Sequence, residues 1–419
     1  MDLLNKLAIL ADAAKYDASC ASSGTEQRHS LQDGGIGSSG GMGICHSYAP
    51  DGRCISLLKI LLTNFCLYEC AYCVNRASSN VPRARFTVDE VVKLTMDFYK
   101  RNYIEGLFLS SGIIKNADYT MELVVEVARK LRLQHNFNGY IHLKTIPEAS
   151  PELLSAAGLY ADRLSINVEL PTSDSLNTLA PEKSARSISV SMSNLRTNID
   201  EYKESKKQAR KQHNKRLKAP RFSPAGQSTQ MIVGADQSND AVILHKANSL
   251  YQQYQMKRVY YSAFSPIPDA SRQLPLQAPP LAREHRLYQA DWLLRFYGFD
   301  LHELTHTTQQ ANGMLSLEID PKLQWAIAHR EQFPVDLNRA DYEHILRVPG
   351  IGLITAKRIL KQRRIRAIRY TDLQKLRLAL NKVKLFVSTS DYHPNAIELE
   401  ANNLQQRFIE PKNSQLSLF

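Results

Sequence analysis

The sequence predicts an α/β protein built on a partial (β/α)6 barrel, followed by a C-terminal all-α domain. Six short apolar runs of strand character alternate with helical segments over most of the chain; they are 55–62, 106–110, 140–146, 163–170, 229–234 and 258–264. Strands that alternate with helices indicate βαβ units and a parallel sheet. In such sheets the chemistry gathers at the carboxyl ends of the strands.

The helical segments between the strands carry start signals. Thr87 with Glu90 three residues later predicts a capping box. Ser150 followed by Pro151 predicts a capped helix with proline at its first position. Further helices are expected at 1–20, near 185–218, near 241–254 and at 283–297, where an amphipathic helix would close the barrel.

A chain of 419 residues suggests roughly two to four domains. We expect five regions in order: a Cys- and Gly-rich N-terminal segment, the barrel, a linker, a compact helical domain and a tail. Their expected bounds are 1–54, 55–300, 301–333, 334–399 and 400–419. The barrel would carry a basic insert at 185–221.

The net charge of +12 comes from two short segments. Residues 202–221 hold nine Lys or Arg and one Glu, and residues 351–370 hold seven Lys or Arg and no acid. The rest of the chain is nearly neutral. Two basic patches on a neutral body favour a docking surface for an anionic partner such as nucleic acid. The alternative for a charge run is a solvated helix face.

The sequence predicts a cytoplasmic protein that does not enter a membrane. No run of 18 apolar residues occurs, and the first residues lack a signal-peptide pattern. Six cysteines in such a long chain argue against a disulfide framework and favour metal binding or catalysis.

Cys66, Cys70 and Cys73 form a C-x3-C-x2-C pattern directly after the first predicted strand. Three thiolates at this spacing can bind three of the four irons of a [4Fe–4S] cluster. The fourth iron then stays open for a substrate or cosubstrate. A closed structural zinc site, which is the alternative, would need a fourth ligand.

The segment Cys66-Leu67-Tyr68-Glu69-Cys70-Ala71-Tyr72-Cys73 resembles the signature of radical S-adenosylmethionine (SAM) enzymes. The resemblance implies a [4Fe–4S] cluster whose open iron chelates SAM, and reductive cleavage of SAM to a 5′-deoxyadenosyl radical that abstracts a hydrogen atom. It also implies that Tyr72 contacts the adenine. An electron donor such as flavodoxin or ferredoxin would supply the electron.

The same resemblance assigns further SAM-binding positions at strand ends. Those expected to hold the amino group, the ribose or carboxylate, and the adenine are, in that order, Ser110, Ser111 and Gly112; Asn167 and Glu169; and Val233 and Gly234. Each of these could also be an ordinary strand end.

More narrowly, the chain resembles a radical SAM group described as DNA modification or repair proteins. Members are typically encoded beside a uracil-DNA-glycosylase-like protein, which is therefore an expected partner. The matching segments are 43–48, 101–106, 224–230 and the helix at 283–297. The resemblance leaves the reaction of the group open.

Three further cysteines, Cys20, Cys45 and Cys54, precede the triad. With His46 nearby they could bind a second iron–sulfur cluster, as in some radical SAM enzymes. The alternative is that they are small buried hydrophobic residues.

Residues 348–352 (Val-Pro-Gly-Ile-Gly) lie between two helical segments and resemble a helix-hairpin-helix motif. The glycines would allow a tight turn, and the following helix start would offer an anion site for a DNA phosphate. The residues expected to contact DNA are Gly350, Ile351, Gly352, Thr355, Lys357, Arg358 and Lys361. The alternative is a motif used only for protein packing.

The chain ends in Gln415-Leu416-Ser417-Leu418-Phe419, which resembles the peptide by which bacterial proteins bind the sliding clamp. The glutamine would supply hydrogen bonds, and Leu416, Leu418 and Phe419 the apolar contacts. Such short motifs also recur by chance.

Together these patterns predict a radical SAM enzyme that modifies or repairs DNA. Two alternatives stay open: the same chemistry on tRNA or another RNA, and a non-catalytic DNA-binding adaptor with a structural metal site. The cysteine triad alone does not separate DNA from RNA.

Overall fold

The computed structural model describes residues 1–14, 44–48, 54–211, 221–267, 271–308 and 312–409. The chain divides into two compact units. The first comprises Met1–Ser238 and Ser249–Pro279, and the second comprises Asn239–Asn248 and Pro280–Phe419.

A seven-stranded sheet forms the first unit, with its strands in chain order. They are β1 (Ile44–Tyr48), β2 (Cys54–Leu61), β3 (Gly106–Ser110), β4 (Tyr140–Lys144), β5 (Arg163–Ser165), β6 (Gln227–Val233) and β7 (Arg258–Ala263). β2 to β7 are parallel, whereas β1 pairs antiparallel with β2. The expected α/β fold with six parallel strands is confirmed, and β1 is an addition that the sequence did not predict.

β5 is shorter than its apolar run predicts, because it ends at Ser165 rather than near Leu170. Glu169 has a backbone φ of 62°, in the left-handed region that extended strands do not use. The chain returns to the sheet only through a single bridge between Glu169 and Met231. This bend places a glutamate at the carboxyl edge of the sheet.

Helices cover the sheet between its strands. Those of the first unit are α1 (Leu3–Ala14), α2 (Val88–Lys100), α3 (Ala117–Leu133), α4 (Pro151–Tyr160), α5 (Ser173–Leu179) and α6 (Ala185–Lys211), and α7 (Asp240–Tyr254) is divided between the units. The predicted capping box is present at Thr87 and Glu90. Proline opens α4 as expected, but Ser150 makes no side-chain capping bond, which corrects that part of the prediction.

The second unit is mainly helical, with short elements. They are α8 (Leu281–Phe296), α9 (Leu301–His306), α10 (Pro321–Ala328), β8 (Val335–Asp336), α11 (Tyr342–Arg347), α12 (Leu353–Arg363), α13 (Tyr370–Lys375), α14 (Leu380–Val383), β9 (Val387–Ser388) and α15 (Ala396–Glu400). Two 3-10 turns, Arg330–Gln332 and Leu404–Phe408, complete it. β8 and β9 form a two-stranded parallel sheet, so the expectation of an all-α C-terminal domain is wrong.

Two further expectations about this unit are corrected. The segment 301–333, expected as a linker, contains α9 and α10. The helix expected to close the barrel, α8, belongs to the second unit. Asp240 explains the second correction, because its buried carboxylate accepts hydrogen bonds from Arg283 Nε (2.7 Å) and the Leu315 amide (2.9 Å).

The described residues contain no helix that is long and apolar enough to cross a membrane.

Candidate active site

The three cysteines of the triad lie on the loop that follows β2, at the carboxyl edge of the sheet. Cys66 Sγ accepts hydrogen bonds from the backbone amides of Tyr68 and Ile113, each at 3.4 Å. Cys73 Sγ accepts one from the Asn75 amide, also at 3.4 Å. Backbone N–H groups directed at sulfur favour the thiolate form that binds iron.

Arg83 holds this loop in shape through the backbone carbonyls around it. Its guanidinium donates to the carbonyl oxygens of Asn75 (3.0 Å), Arg76 (2.6 Å) and Ser79 (2.9 Å), and to that of Asn64. A planar group with five donors can join several carbonyls at once, which lysine cannot do.

The cysteine loop packs directly on the loop after β3. The Gly112 amide donates to the Thr63 carbonyl (2.8 Å), and the Leu67 amide donates to the Ile113 carbonyl (2.8 Å). A Cβ on Gly112 would lie 2.2 Å from the Phe65 carbonyl oxygen. Glycine is therefore required at this position, because the two backbones touch. Of its predicted neighbours, Ser110 is buried and Ser111 donates to the Gly112 carbonyl at 2.7 Å.

The thiols are enclosed by protein. Burial raises the pKa of Cys70 to about 12 and that of Cys73 to about 11, and each lies close enough to Cys66 for its charge to add to the effect. Binding iron would displace these protons, so metal binding is coupled to proton release. Three cysteines on one loop, one buried and two half-buried, fit a cluster that takes one thiolate per iron. Two of their sulfurs accept hydrogen bonds from backbone N–H groups.

Among the described residues, no group of three or more His, Cys, Asp or Glu side chains is placed around a single metal ion, whereas a cluster needs only one thiolate for each iron.

Beside the triad lies a buried ion pair that the sequence analysis only half identified. Lys183 Nζ is 2.5 Å from Glu169 Oε1. Burial alone would lower the pKa of Lys183, but the charges of Glu169, Tyr72 and Cys70 raise it well above its ordinary value. Lys183 thus stays protonated and places a positive charge beside the thiolates.

Asn167 and Glu169, both predicted, lie next to each other. Asn167 Nδ2 is 3.4 Å from Glu169 Oε2 and 3.4 Å from the side-chain oxygen of Gln230. The Asn167 and Glu169 side chains are buried. The structure thus gathers amide and carboxylate groups just past the end of β5 and beside the middle of β6.

Glu148, which sequence reasoning missed, is a buried carboxylate on the loop after β4. Neither of its oxygens has a hydrogen-bond partner in the structure. Burial raises its pKa. The backbone amides of Glu148 and Ser184, which lie near the carboxylate without meeting hydrogen-bond geometry, and the charge of Lys183 oppose this rise. The carboxylate in turn adds to the effect of burial on Tyr68, whose pKa rises to about 12.

Tyr72 has a buried hydroxyl without a partner. Its ring packs against an apolar cluster that includes Leu170, Ala235 and Phe264. Burial, with Glu169 nearby, raises the pKa of Tyr72 well above 10. The hydroxyl therefore stays protonated and can donate to a ligand.

The last predicted cofactor positions lie at the end of β6. Val233 is fully buried, and Gly234 has a φ of 80°. A Cβ on Gly234 would lie 2.8 Å from Pro279 Cγ, so both the conformation and the close approach require glycine.

Of the two residues that the sequence analysis did not identify, Glu148 could have been predicted from its position and Lys183 could not. Glu148 lies just past a strand, where the rule for parallel sheets places functional side chains. Lys183 lies on the loop between α5 and α6, and nothing in its local pattern indicates the pairing with Glu169.

The candidate second cluster stays a prediction. Cys45 is half-buried and pairs with Leu57 in the β1–β2 ladder, three residues along β2 from Cys54. Cys20 lies outside the described residues.

The predicted DNA-contacting residues lie together in the second unit. The turn 348–352 connects α11 to α12, and Gly350 within it is exposed with a φ of 81°. Lys357, Arg358 and Lys361 are exposed on α12, whereas Ile351 is buried and Gly352 and Thr355 are half-buried. The predicted clamp-binding residues Gln415, Leu416, Leu418 and Phe419 lie outside the described residues.

Comparison with known proteins finds one family match. Residues 60–211 match the family model described as the Radical SAM superfamily. This segment carries the cysteine triad, Ser110 to Gly112, Asn167, Glu169, Glu148 and Lys183. No curated protein sequence matches the chain.

Several solved structures are similar to the chain. Methylornithine synthase (PylB) is 14% identical with a TM-score of 0.42, over 57% of this chain and 61% of that one. HydG, a maturase of the [FeFe]-hydrogenase, is 15% identical with a TM-score of 0.40, over 56% and 48%. Coproporphyrinogen III oxidase (HemN) from Escherichia coli is 13% identical with a TM-score of 0.34, over 64% and 56%. The chain thus covers less than two thirds of the length of each.

Residues 60–211 therefore match a radical SAM domain, and this match supports the expected [4Fe–4S] cluster and SAM as cofactors. The reaction that it catalyses is left open by this match.

Proposed function

We propose that this radical SAM enzyme acts on DNA, as a modification or repair enzyme. The observation that carries the proposal is the exposed glycine turn with a basic helix in the second unit, on the same chain as the radical SAM domain. The resemblance to the DNA modification or repair group supports the same substrate class.

The start of α12 is suited to a phosphate. Gly352 is its N-cap residue and has no side chain to cap the helix. The Leu353 amide faces the Tyr297 hydroxyl, and an anion would bind the other amides of the first turn. Lys357 and Arg358 follow on the exposed surface of the helix. Contacts of this kind bind the DNA backbone without reading bases, and they weaken as salt is added.

A second basic surface lies on α6 of the first unit. Lys203, Lys206, Lys207 and Lys211 lie along one side of this helix and line a shallow depression. Lys203 is paired with Asp200 (2.7 Å) and Lys207 lies 3.8 Å from Glu204, so the net positive charge of the surface is smaller than its lysine count. We assign this surface a supporting role in binding phosphates.

At the active site the chain's own groups position the cofactors. Cys66, Cys70 and Cys73 would hold the cluster, which when loaded supplies the electron that cleaves SAM. Lys183 favours the thiolate state beside it. The Glu148 carboxylate and the Tyr72 hydroxyl, both buried without partners, are available to bind polar groups of SAM or substrate.

The test is 5′-deoxyadenosine formation by the iron-reconstituted protein under anaerobic conditions, with SAM and a reductant. It is run without nucleic acid, with DNA and with bulk tRNA. We expect DNA to stimulate the product and Cys70→Ala to abolish it. Stimulation by tRNA alone would indicate that the substrate is RNA. Absence of 5′-deoxyadenosine from protein that has both cluster and SAM bound would favour a non-catalytic DNA-binding adaptor.

A second experiment isolates DNA binding. Lys357→Glu with Arg358→Glu should weaken DNA binding and the stimulation by DNA, but leave 5′-deoxyadenosine formation without DNA unchanged. Lys375→Glu, an exposed lysine on α13, is the control. Equal DNA affinity for both variants would refute the role of α12.

The expected protein partners can be tested by two binding experiments. If it binds the sliding clamp, a clamp pull-down should depend on Leu418 and Phe419. A uracil-DNA-glycosylase-like protein is the other proposed partner, and co-purification would test it.

A further inference from the structure

The second unit contains a cavity beside the glycine turn. Its volume is about 480 Å³, within the usual range for pockets that bind small molecules. α8 and the residue after it form one wall, the start of α10 forms another, and residues 350–352 close it. The proposed function in DNA binding uses the turn but not this cavity.

The α8 wall is aromatic. Tyr288, Trp292 and Tyr297 line the cavity. Trp292 is 47% exposed, although tryptophan is the side chain that gains most from burial. Its ring lies 5.0 Å from that of Phe296, which is itself 44% exposed, so packing within the described residues leaves much of both rings open. Open aromatic rings in a cavity wall favour a flat, stackable ligand.

Polar residues also line the cavity, and one of them is bonded to the turn. The buried Lys322 donates from Nζ to the Ile351 carbonyl at 2.5 Å and lies 4.9 Å from the centre of the Tyr297 ring. The side chains of Asp320 and Gln289 also line the cavity. The cavity thus combines ring faces with hydrogen-bonding groups, as a pocket for a heterocyclic base requires.

The turn residues serve both the cavity and the anion site. Gly350, Ile351 and Gly352 line the cavity, and Gly352 begins α12, which is followed by Lys357 and Arg358. A ligand that occupies both places must carry a negative group directly beside a flat ring. A nucleotide within a DNA strand has this arrangement.

We propose that the cavity binds one unpaired nucleobase of single-stranded DNA while the adjoining turn and α12 bind its phosphate. The inference rests on the proposed function, since it takes DNA as the ligand. A base in a duplex is stacked and paired, and would have to leave the helix to enter the cavity. The protein should therefore bind a single strand more tightly than a duplex of equal length.

The first test compares a labelled oligothymidine with a duplex of the same length by fluorescence anisotropy. Stacking on an aromatic ring contributes about 1–3 kcal/mol per base, which corresponds to about 5- to 150-fold in affinity. Trp292→Ala should lose single-strand affinity by a factor in this range and leave duplex affinity unchanged. Trp292→Phe should keep most of the single-strand affinity, because it retains a ring.

Tryptophan fluorescence gives a second readout that a merely structural role would not change. The chain has two tryptophans, and the other, Trp325, is 1% exposed. Oligothymidine should quench the wild-type emission, and Trp292→Phe should abolish the quenching while binding persists. Leu281→Ala, an exposed apolar residue on the same helix outside the cavity wall, is the control for both assays.

The outcomes separate the two proposals. Equal affinity for single strand and duplex, with no effect of Trp292→Ala, would overturn the base-binding inference and leave DNA binding intact. Failure to bind either form of DNA would overturn the proposed function itself. Tighter binding of a single-stranded RNA of equal length would overturn the choice of DNA as occupant.

Discussion

At the scale of single residues, the active site depends on close approaches that only particular side chains permit. Gly112 touches the backbone at Phe65, and this contact joins the Ser110 to Gly112 segment to the cysteine loop. Sequence reasoning identified Gly112 as a SAM-binding position by resemblance. The structure adds a second requirement, because the glycine also sets the path of the loop that presents Cys66.

Gly112→Ala should reduce cluster incorporation. The added methyl group would overlap the Phe65 carbonyl, so the cysteine loop must move away from its position. Iron content and visible absorbance after reconstitution measure the effect. Ser111→Ala, which adds no atoms in the same segment, should incorporate iron normally. If both variants take up iron like the wild type, the contact does not position the loop.

Glu148→Gln should weaken SAM binding while the protein stays as stable or becomes more stable. The substitution removes a buried carboxylate that lacks a partner and whose pKa burial raises, so it relieves a desolvation cost. A hydrogen bond to a charged group contributes about 1.5–3 kcal/mol, so the dissociation constant should rise at least about tenfold. Equilibrium SAM binding and urea unfolding are the two measurements.

The control for this variant is Glu152→Gln, an exposed glutamate in the first turn of α4. It should leave both SAM binding and stability unchanged. Unaltered SAM affinity in Glu148→Gln, combined with a loss of stability, would show that Glu148 has a structural role only.

At the scale of elements, the sequence predicted what depends on local pattern. Apolar runs located the six parallel strands, and the cysteine spacing located the cluster loop directly after the first of them. The end of β5 could not be predicted, because the left-handed conformation of Glu169 depends on its pairing with Met231 and Lys183. The short helices α9 and α10 were missed because six and eight residues give too little periodicity.

The α6 surface leads to a prediction about salt dependence. Lys206→Ser with Lys207→Ser should weaken DNA binding and reduce the slope of log affinity against log salt by up to about 2. Each phosphate contact that is lost means that about one fewer counterion is released from the DNA on binding. Lys93→Ser with Lys100→Ser on α2 removes the same charge elsewhere and should leave the slope unchanged. Identical slopes for the two double variants would exclude α6 from the DNA interface.

At the scale of the whole molecule, the two units hold different kinds of buried charge. In the first unit, the Lys183 charge is balanced by Glu169. In the second, Lys322 donates to a neutral carbonyl, and burial lowers its pKa from 10.5 to about 7. Neither environment could be predicted from sequence patterns, because both arise from residues that are not neighbours along the chain.

Stability of the second unit should therefore rise with pH between about 7 and 10. In this window the unfolded chain retains the Lys322 proton and the folded chain releases it, so the free energy of unfolding increases by at most about 1.4 kcal/mol per pH unit. Lys322→Met should remove this contribution to the slope. Both tryptophans lie in the second unit, so tryptophan fluorescence during urea unfolding reports on it.

The control for the pH series is Lys375→Met, an exposed lysine in the same unit. It should keep the wild-type dependence of stability on pH. A Lys322→Met variant with the wild-type slope would mean that Lys322 keeps its proton in the folded state.

The antiparallel strand β1 has a consequence for any shortened form of the protein. Five residue pairs, from Ile44 with Leu58 to Tyr48 with Cys54, cover the side of β2 that faces away from β3. A fragment that begins after β1 would expose an apolar strand edge with unpaired N–H and C=O groups, which is a template for self-association. Aggregation would then obscure the chemistry of a minimal catalytic fragment, whereas a fragment that retains β1 should stay monodisperse.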